Sequence, residues 1–242
     1  MARTPVPAST DILCESCGYT LNGLPDDGNC PECGNPVADS TTAAPRHIPA
    51  WEIDTLRPSD RFIRTAREVI FHPRYFFQHL IVHTDAHRAR RFAQIAFVPV
   101  VAVGSKAVLI HVMIMTWLSG SGSVTMLPWL FAIVPIAVAL AWIGTHLAVV
   151  PLTSIEARYW GYRLPTPVVR RVLHYLTPHA AIASALPLLV SSIYLMMLAK
   201  NDTYANYLAQ YSYCLSAAVV LSAGYLFRIY WLGMIAVRYA NK

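Results

Sequence analysis

The sequence predicts an all-α integral membrane helical bundle, four transmembrane helices plus an amphipathic interfacial helix, preceded by a small N-terminal β module. Three observations lead there. Of 242 residues, 55% are hydrophobic and only 13% are charged, about half the charge of an ordinary soluble domain, so lipid is the expected solvent for most of the chain. The charges are also segregated: no Asp, Glu, Lys or Arg lies between Lys106 and Glu156, between Arg171 and Lys200, or between Asp202 and Arg228. Finally, four of the five cysteines fall between Cys14 and Cys33, in a stretch with no long apolar run.

The N-terminal module, residues 1–36, is built on two C-x-x-C-G knuckles, Cys14-Glu-Ser-Cys17-Gly18 and Cys30-Pro-Glu-Cys33-Gly34. Each knuckle offers two thiolates to one ion from a tight turn, and the glycine after it accepts the backbone angles that aim amides at sulfur. Four thiolates fill a tetrahedral shell, which makes the ion structural, with no open position for water or substrate. One Zn2+ held by Cys14, Cys17, Cys30 and Cys33, a zinc ribbon, is the leading expectation; iron of the rubredoxin type and a redox dithiol are the alternatives. The residues ahead of the first knuckle have no apolar run to serve as a secretory signal, and a reducing compartment favours metal over disulfides. The module carries Asp11, Glu15, Asp26, Asp27, Glu32 and Asp39 and no Lys or Arg between Arg3 and Arg46. That surface repels phosphates, so nucleic acid is not the expected partner; a basic protein surface is, and the arginine-rich stretch of the same chain is the nearest one.

Residues 37–56 read as a Pro/Ser/Thr/Ala-rich linker that tethers the module. Residues 57–91 form a basic amphipathic interfacial region, with eight arginines against Asp60, Glu68 and Asp85, a net charge of +5. Ser59 or Asp60 is placed to cap a helix that gathers Phe62, Ile63, Ala66, Val69 and Ile70 on one face. Arg61, Arg64 and Arg67 point elsewhere, Pro73 ends the helix, and Arg74 leads an aromatic continuation. Such a stretch suits a helix lying among anionic lipid headgroups, with Arg61, Arg64, Arg67 and Arg74 as the headgroup contacts.

Residues 92–242 hold the four spans, at about 93–118, 126–150, 178–199 and 207–227, each near the roughly 20 residues that a bilayer core requires. Ser119-Gly120-Ser121-Gly122-Ser123 is the expected first turn, and Pro135 and Pro187 the expected kinks. Arginines crowd before the first span, in the loop of residues 151–177 and at Arg238, whereas the other two loops hold Lys200 as their one basic residue. Both termini are therefore expected in the cytosol, with the chain a multi-pass protein of a bacterial inner membrane.

Within the spans the candidate polar site is Lys106, His111 and His146. Lys106 lies deep in the first span with no acidic residue in any span to pair with it, which makes it a candidate for an anionic group. His111, His146, His174 and His179 lack the paired spacing of a catalytic metal site; His83 and His87 stand four apart in a polar stretch with no third ligand. Glu156 and Arg158, with Ser154 as cap, read as the start of a surface helix in the loop after the second span.

The segment from Arg67 to Phe77, with Pro73 and its following aromatics, and the loop from Ile155 to Arg163 leading into Tyr175 and Pro178, are similar to the membrane domain of the Yip (Ypt-interacting) family. The resemblance implies a membrane adaptor that acts through binding partners. It also implies five membrane helices where four are evident, which makes residues 61–83 the segment whose insertion would supply the fifth. The expected function is a non-catalytic inner-membrane adaptor or scaffold whose cytosolic zinc ribbon docks a protein partner. The alternative is a small transporter or lipid-handling protein using Lys106, and an enzyme stands third.

Overall fold

The computed structural model describes residues 11–41, 47–82, 86–118, 127–200 and 207–241. The described helices are α1 (Ala38–Thr41), α2 (Pro58–Phe71), α3 (Pro73–Gln78), α4 (Ala86–Leu118), α5 (Leu127–Trp160), α6 (Thr166–Lys200) and α7 (Leu208–Val237), with a 3-10 turn at Ala50–Glu52. The expected Ser/Gly turn at 119–123 and His83 of the His83/His87 pair fall outside the described residues.

Helices α4 to α7 are long and apolar enough to cross a membrane, and they make the chain a multi-pass membrane protein. Their outward surface agrees with their composition: in the most apolar stretch of α5 only 6% of residues are buried, and Ile133, Ile136, Leu140 and Leu147 are all exposed. In water such a surface would be a large apolar patch; in lipid it is the solvated face. Helix α2, at 14 residues, reaches about 21 Å at helical rise, short of a bilayer core near 30 Å, and among the described residues α4 to α7 are the helices long and apolar enough to cross. Each long helix outruns its predicted span at one end, the arginine-bearing end. Hydropathy marks where lipid must be, whereas a helix stops only at a breaker. The expected loop helix at Ser154 is accordingly the last part of α5, and Ser154 bonds the Val150 carbonyl at 3.1 Å instead of capping. Helix α5 runs through Pro135 and Pro151 to Trp160 and ends at Gly161, whose φ of +72° is left-handed; Tyr162 N–H then reaches the Ala157 carbonyl at 2.8 Å, a Schellman end.

The chain forms two compact units. The first comprises Met1–Phe92, His146–Tyr175 and Tyr230–Lys242. Its centre is aromatic: Trp51 meets Phe62 edge-on, Phe62 lies 5.1 Å from Phe92, and Phe92 and Phe76 each lie 5.2 Å from Tyr175. Gly233 admits the close approach of α7 to Val172, where an added Cβ would come within 2.9 Å. The stretch expected as a bare linker contributes to this unit, with Val37 and Ala50 buried. Trp51 accepts no spare role as tether: its backbone N–H donates to Thr65 Oγ1 at 2.8 Å and its indole N–H to the Arg88 carbonyl. Helix α2 starts at Pro58 with Arg57 as its N-cap and no side-chain cap, so neither Ser59 nor Asp60 plays the capping part; proline needs no partner for the amide it lacks. Pro73 does separate α2 from α3.

The second unit comprises Ala93–Thr145 and Leu176–Ile229. Its core gathers Ile114, Tyr194, Leu198 and Tyr211, with Tyr194 and Tyr211 stacked at 4.4 Å. Three polar pairs inside it are local. His111 Nδ1 meets the Tyr211 hydroxyl at 2.8 Å, His179 Nδ1 meets the Tyr225 hydroxyl at 2.6 Å, and Ser222 donates to the Ala183 carbonyl.

Candidate metal centre and its docking surface

The four knuckle cysteines converge. Cys14 and Cys33 sulfurs are 3.5 Å apart, Cys17 and Cys30 sulfurs 3.6 Å apart, and all four lie within 4.8 Å of one another. A tetrahedral ion with metal–sulfur bonds of about 2.3 Å places its thiolates about 3.8 Å apart, so the set fits one metal ion with no rearrangement of the turns. Among the described residues this is the one group of three or more His, Cys, Asp or Glu that could hold a metal.

The backbone around it repeats with an offset of 16 residues. Gly18 N–H donates to the Cys14 carbonyl and Gly34 N–H to the Cys30 carbonyl. Cys14 N–H donates to the Tyr19 carbonyl and Cys30 N–H to that of Asn35, and Leu21 and Val37 close the pairs on Ile12 and Gly28. Gly18 at φ +85° and Gly34 at +73° occupy the left-handed region that such knuckles demand. Amides of Ser16 and Cys17 point at Cys14 sulfur, and amides of Glu32 and Cys33 point at Cys30. Burial pushes the Cys14 thiol up and the Cys17 thiol up to about 12. Burial also raises Cys30, but the Cys33 and Glu32 amides and the neighbouring thiols outweigh it and hold this group at about 7. The cluster thus favours a thiolate at one corner, and a bound cation would favour it at the others.

The module differs from expectation in one respect. Among its described residues it has no strand: the antiparallel contacts are single bridges, Leu13 to Thr20 and Asn29 to Pro36. Each hairpin spends its residues on the knuckle itself, leaving one bridging pair, so the β ribbon reduces to two turns on a core of Cys14, Leu21, Cys30 and Val37. A core this small does not stabilise a fold alone, and a metal is the usual supplement.

The module is bound to the end of the chain. Asn241 makes a two-way amide pair with Leu13, receiving its N–H at 2.9 Å and donating to its carbonyl at 2.8 Å, and it reaches Ser40 and Glu15 as well. Arg163 donates to the Asp11 carbonyl and to Asn241, and Arg238 donates to the Ser16 carbonyl at 3.0 Å. Gly18 lies flat on the Tyr239 ring, where a Cβ would fall 2.6 Å from the ring carbon Cζ. Arg238 stacks over Tyr162 and Tyr239. Burial lowers the Arg163 guanidinium from its usual range, partly offset by Asp11 and Glu15, and burial raises the Tyr239 hydroxyl. Arg163 and Arg238 are thus two basic residues of the chain that bond the module's backbone. No sequence signal marked Asn241; Gly18 carried one, because its place after a knuckle predicted the left-handed turn that also clears space for Tyr239.

A second polar centre ties the 3-10 turn to α6. Glu52, 7% exposed, takes both oxygens to Arg171, 1% exposed, at 2.7 and 2.9 Å. Tyr175 hydroxyl also donates to Glu52, and Arg171 Nε donates to the Ile81 carbonyl. Sequence reading placed Glu52 in a linker and Arg171 in a loop, and their 119-residue separation hid the pair.

The predicted polar and interfacial residues take separate places. Lys106 is exposed on α4, His111 is engaged by Tyr211, and His146 lines a groove with Arg158 and Arg170. Arg61 turns inward to Asp54 at 2.8 Å and over Trp51, while Arg64, Arg67 and Arg74 are exposed. The hydrogen bond from Arg88, with Arg61 beside it, holds the Asp54 carboxyl below its usual value. Exposed Ile63, Phe71 and Tyr75 accompany the three outward arginines on α2 and α3. Comparison with family models, with curated proteins and with solved structures finds no match.

Proposed function

We propose that this chain is a non-catalytic adaptor of a bacterial inner membrane, whose four-cysteine module carries zinc and docks a basic protein partner on the cytosolic side. The observation that carries the reading is the closed donor set. Four thiols within 4.8 Å of one another leave a tetrahedral ion no open position, which suits a structural ion and gives no place for substrate. Zinc is favoured because the donors are all sulfur and the module needs the ion to fold, not to change oxidation state. The module offers exposed Asp26, Asp27 and Glu32, so a basic surface is the complementary partner. The arginine distribution along the chain supports cytosolic termini. The likeness of residues 67–77 and 155–178 to Yip-type membrane domains supports an adaptor role.

The test is affinity purification from native membranes of the intact chain and of a variant with Cys14, Cys17, Cys30 and Cys33 all changed to Ser. The expected outcome is one zinc per chain and a set of partners present only with the intact chain. The same partners on both chains, or turnover of a substrate at enzyme-like rates, would contradict the proposal. Thiol labelling of intact cells with an impermeant reagent should leave the module unmodified; modification from the outside would reverse the orientation.

A further inference from the structure

Between the end of α5 and the start of α6 lies an open groove of about 540 Å³. Its polar wall is basic: Arg158 and Ser154, one helical turn apart on α5, face Arg170 and Thr166, one turn apart on α6. No carboxylate lines it. Glu156, the nearest in sequence, lies on the other side of α5, with Tyr162 and Tyr230 around a separate gap. Among the described residues neither Arg158 nor Arg170 has a carboxylate in ion-pair range. The first-turn amides of α6 add positive character where Thr166 stands.

The other wall is apolar. Leu147, Pro151 and Ile155 follow one stripe of α5, and that stripe continues into the exposed Ile143 of the lipid-facing surface. At the polar end, Tyr159 and Trp160 are exposed, as side chains at a headgroup boundary are. A soluble anion would use the arginines and leave this stripe idle. A ligand with a phosphate at one end and hydrocarbon at the other uses both.

We infer that this groove is a site for one anionic glycerophospholipid, its phosphate held between Arg158 and Arg170 and one acyl chain laid along Leu147, Pro151 and Ile155. Two guanidiniums can each offer paired N–H groups to phosphate oxygens, which favours a net-negative headgroup over a zwitterionic one whose ammonium or choline would meet the same positive wall.

The full chain, reconstituted in nanodiscs of phosphatidylcholine with a minority of phosphatidylglycerol, tests this by native mass spectrometry of the lipid it retains. One phosphatidylglycerol per chain is expected. Arg158→Gln with Arg170→Gln should lower retention at least about tenfold, the loss expected for two charge-assisted contacts. Ile155→Glu, which sets a carboxylate at an already exposed groove position, should do the same without removing either arginine, and so covers the case of a double variant that fails to fold. Arg57→Gln, which changes an exposed arginine at the N-cap of α2, should leave retention unchanged. Undiminished retention in both groove variants overturns the inference. Equal loss from the α2 variant would assign retention to general surface charge, equal retention of phosphatidylcholine would remove the anionic preference, and displacement by glycerol 3-phosphate at equal concentration would show a soluble phosphate as ligand; each overturns it.

Discussion

The two units are held together by different forces. In the first, specificity comes from polar groups, most of them charged or able to hold a cation: the four thiols, the Glu52–Arg171 pair, Asp54 between Arg61 and Arg88, and the neutral amide of Asn241 against Leu13. The second draws on the charged residues Lys106, Lys200, Asp202 and Arg228 alone, and is organised by stacked Tyr194 and Tyr211 and by single hydrogen bonds from histidine and serine. Lipid explains the division. Hydrocarbon supplies no hydrophobic drive between helices and makes charge expensive, so packing and isolated hydrogen bonds are what remain there. Where water is present, a small module without much apolar core depends on metal and ion pairs instead.

Changes to the first unit should therefore cost more than comparable changes to the second. The largest effect is expected from Cys17→Ser with Cys30→Ser. Losing a structural ion removes a term worth about 10 kcal/mol or more in small metal-dependent modules, and limited proteolysis should cut residues 12–40 while sparing the long helices. A module that stays protease-resistant without metal would break the comparison. Next comes Glu52→Gln, which strands Arg171 in a buried site at a cost of about 3–5 kcal/mol, read as a lowered unfolding temperature in detergent. Glu52→Leu with Arg171→Met should recover most of that loss, because no charge is then left unpaired.

Gly18→Ala should cost about 1–3 kcal/mol from the left-handed backbone alone, and its added Cβ must also displace Tyr239. Adding Tyr239→Ala relieves the collision and leaves the backbone strain, so a double-mutant cycle separates the two; full recovery would show that the turn is not strained. The smallest effect is expected in the second unit. Tyr211→Phe removes hydrogen bonds to His111 and Ser191 but keeps the stack on Tyr194, and should cost about 1 kcal/mol or less, the usual worth of such bonds between membrane helices. A loss matching that of Glu52→Gln would show that polar contacts govern both units alike.

What could be read from sequence follows the same division. The spans were legible because exclusion of charge from hydrocarbon acts on every residue of a helix, and the module because C-x-x-C-G spacing fixes the geometry locally. The helix ends at Ala86, Trp160, Thr166 and Val237 were not, since a charged helix packed on protein has no composition that distinguishes it from a loop. The pairing of Glu52 with Arg171 and the seat of Asn241 on Leu13 depend on tertiary placement across most of the chain, where one sequence alone offers no register. The β ribbon expected of the module appears among the described residues only as two isolated bridges, for a simpler reason: two knuckles in so few residues leave little length for a strand.

A bound cation is expected to stabilise the first unit and not the second. Hydrogen exchange on the chain in nanodiscs, before and after a strong chelator, tests that directly. The amides of Cys14, Gly18, Cys30, Gly34 and Val37 should lose their protection together while those around Ile114, Tyr194 and Tyr211 keep theirs. Unchanged protection at the knuckles, or equal loss in both sets, would contradict it.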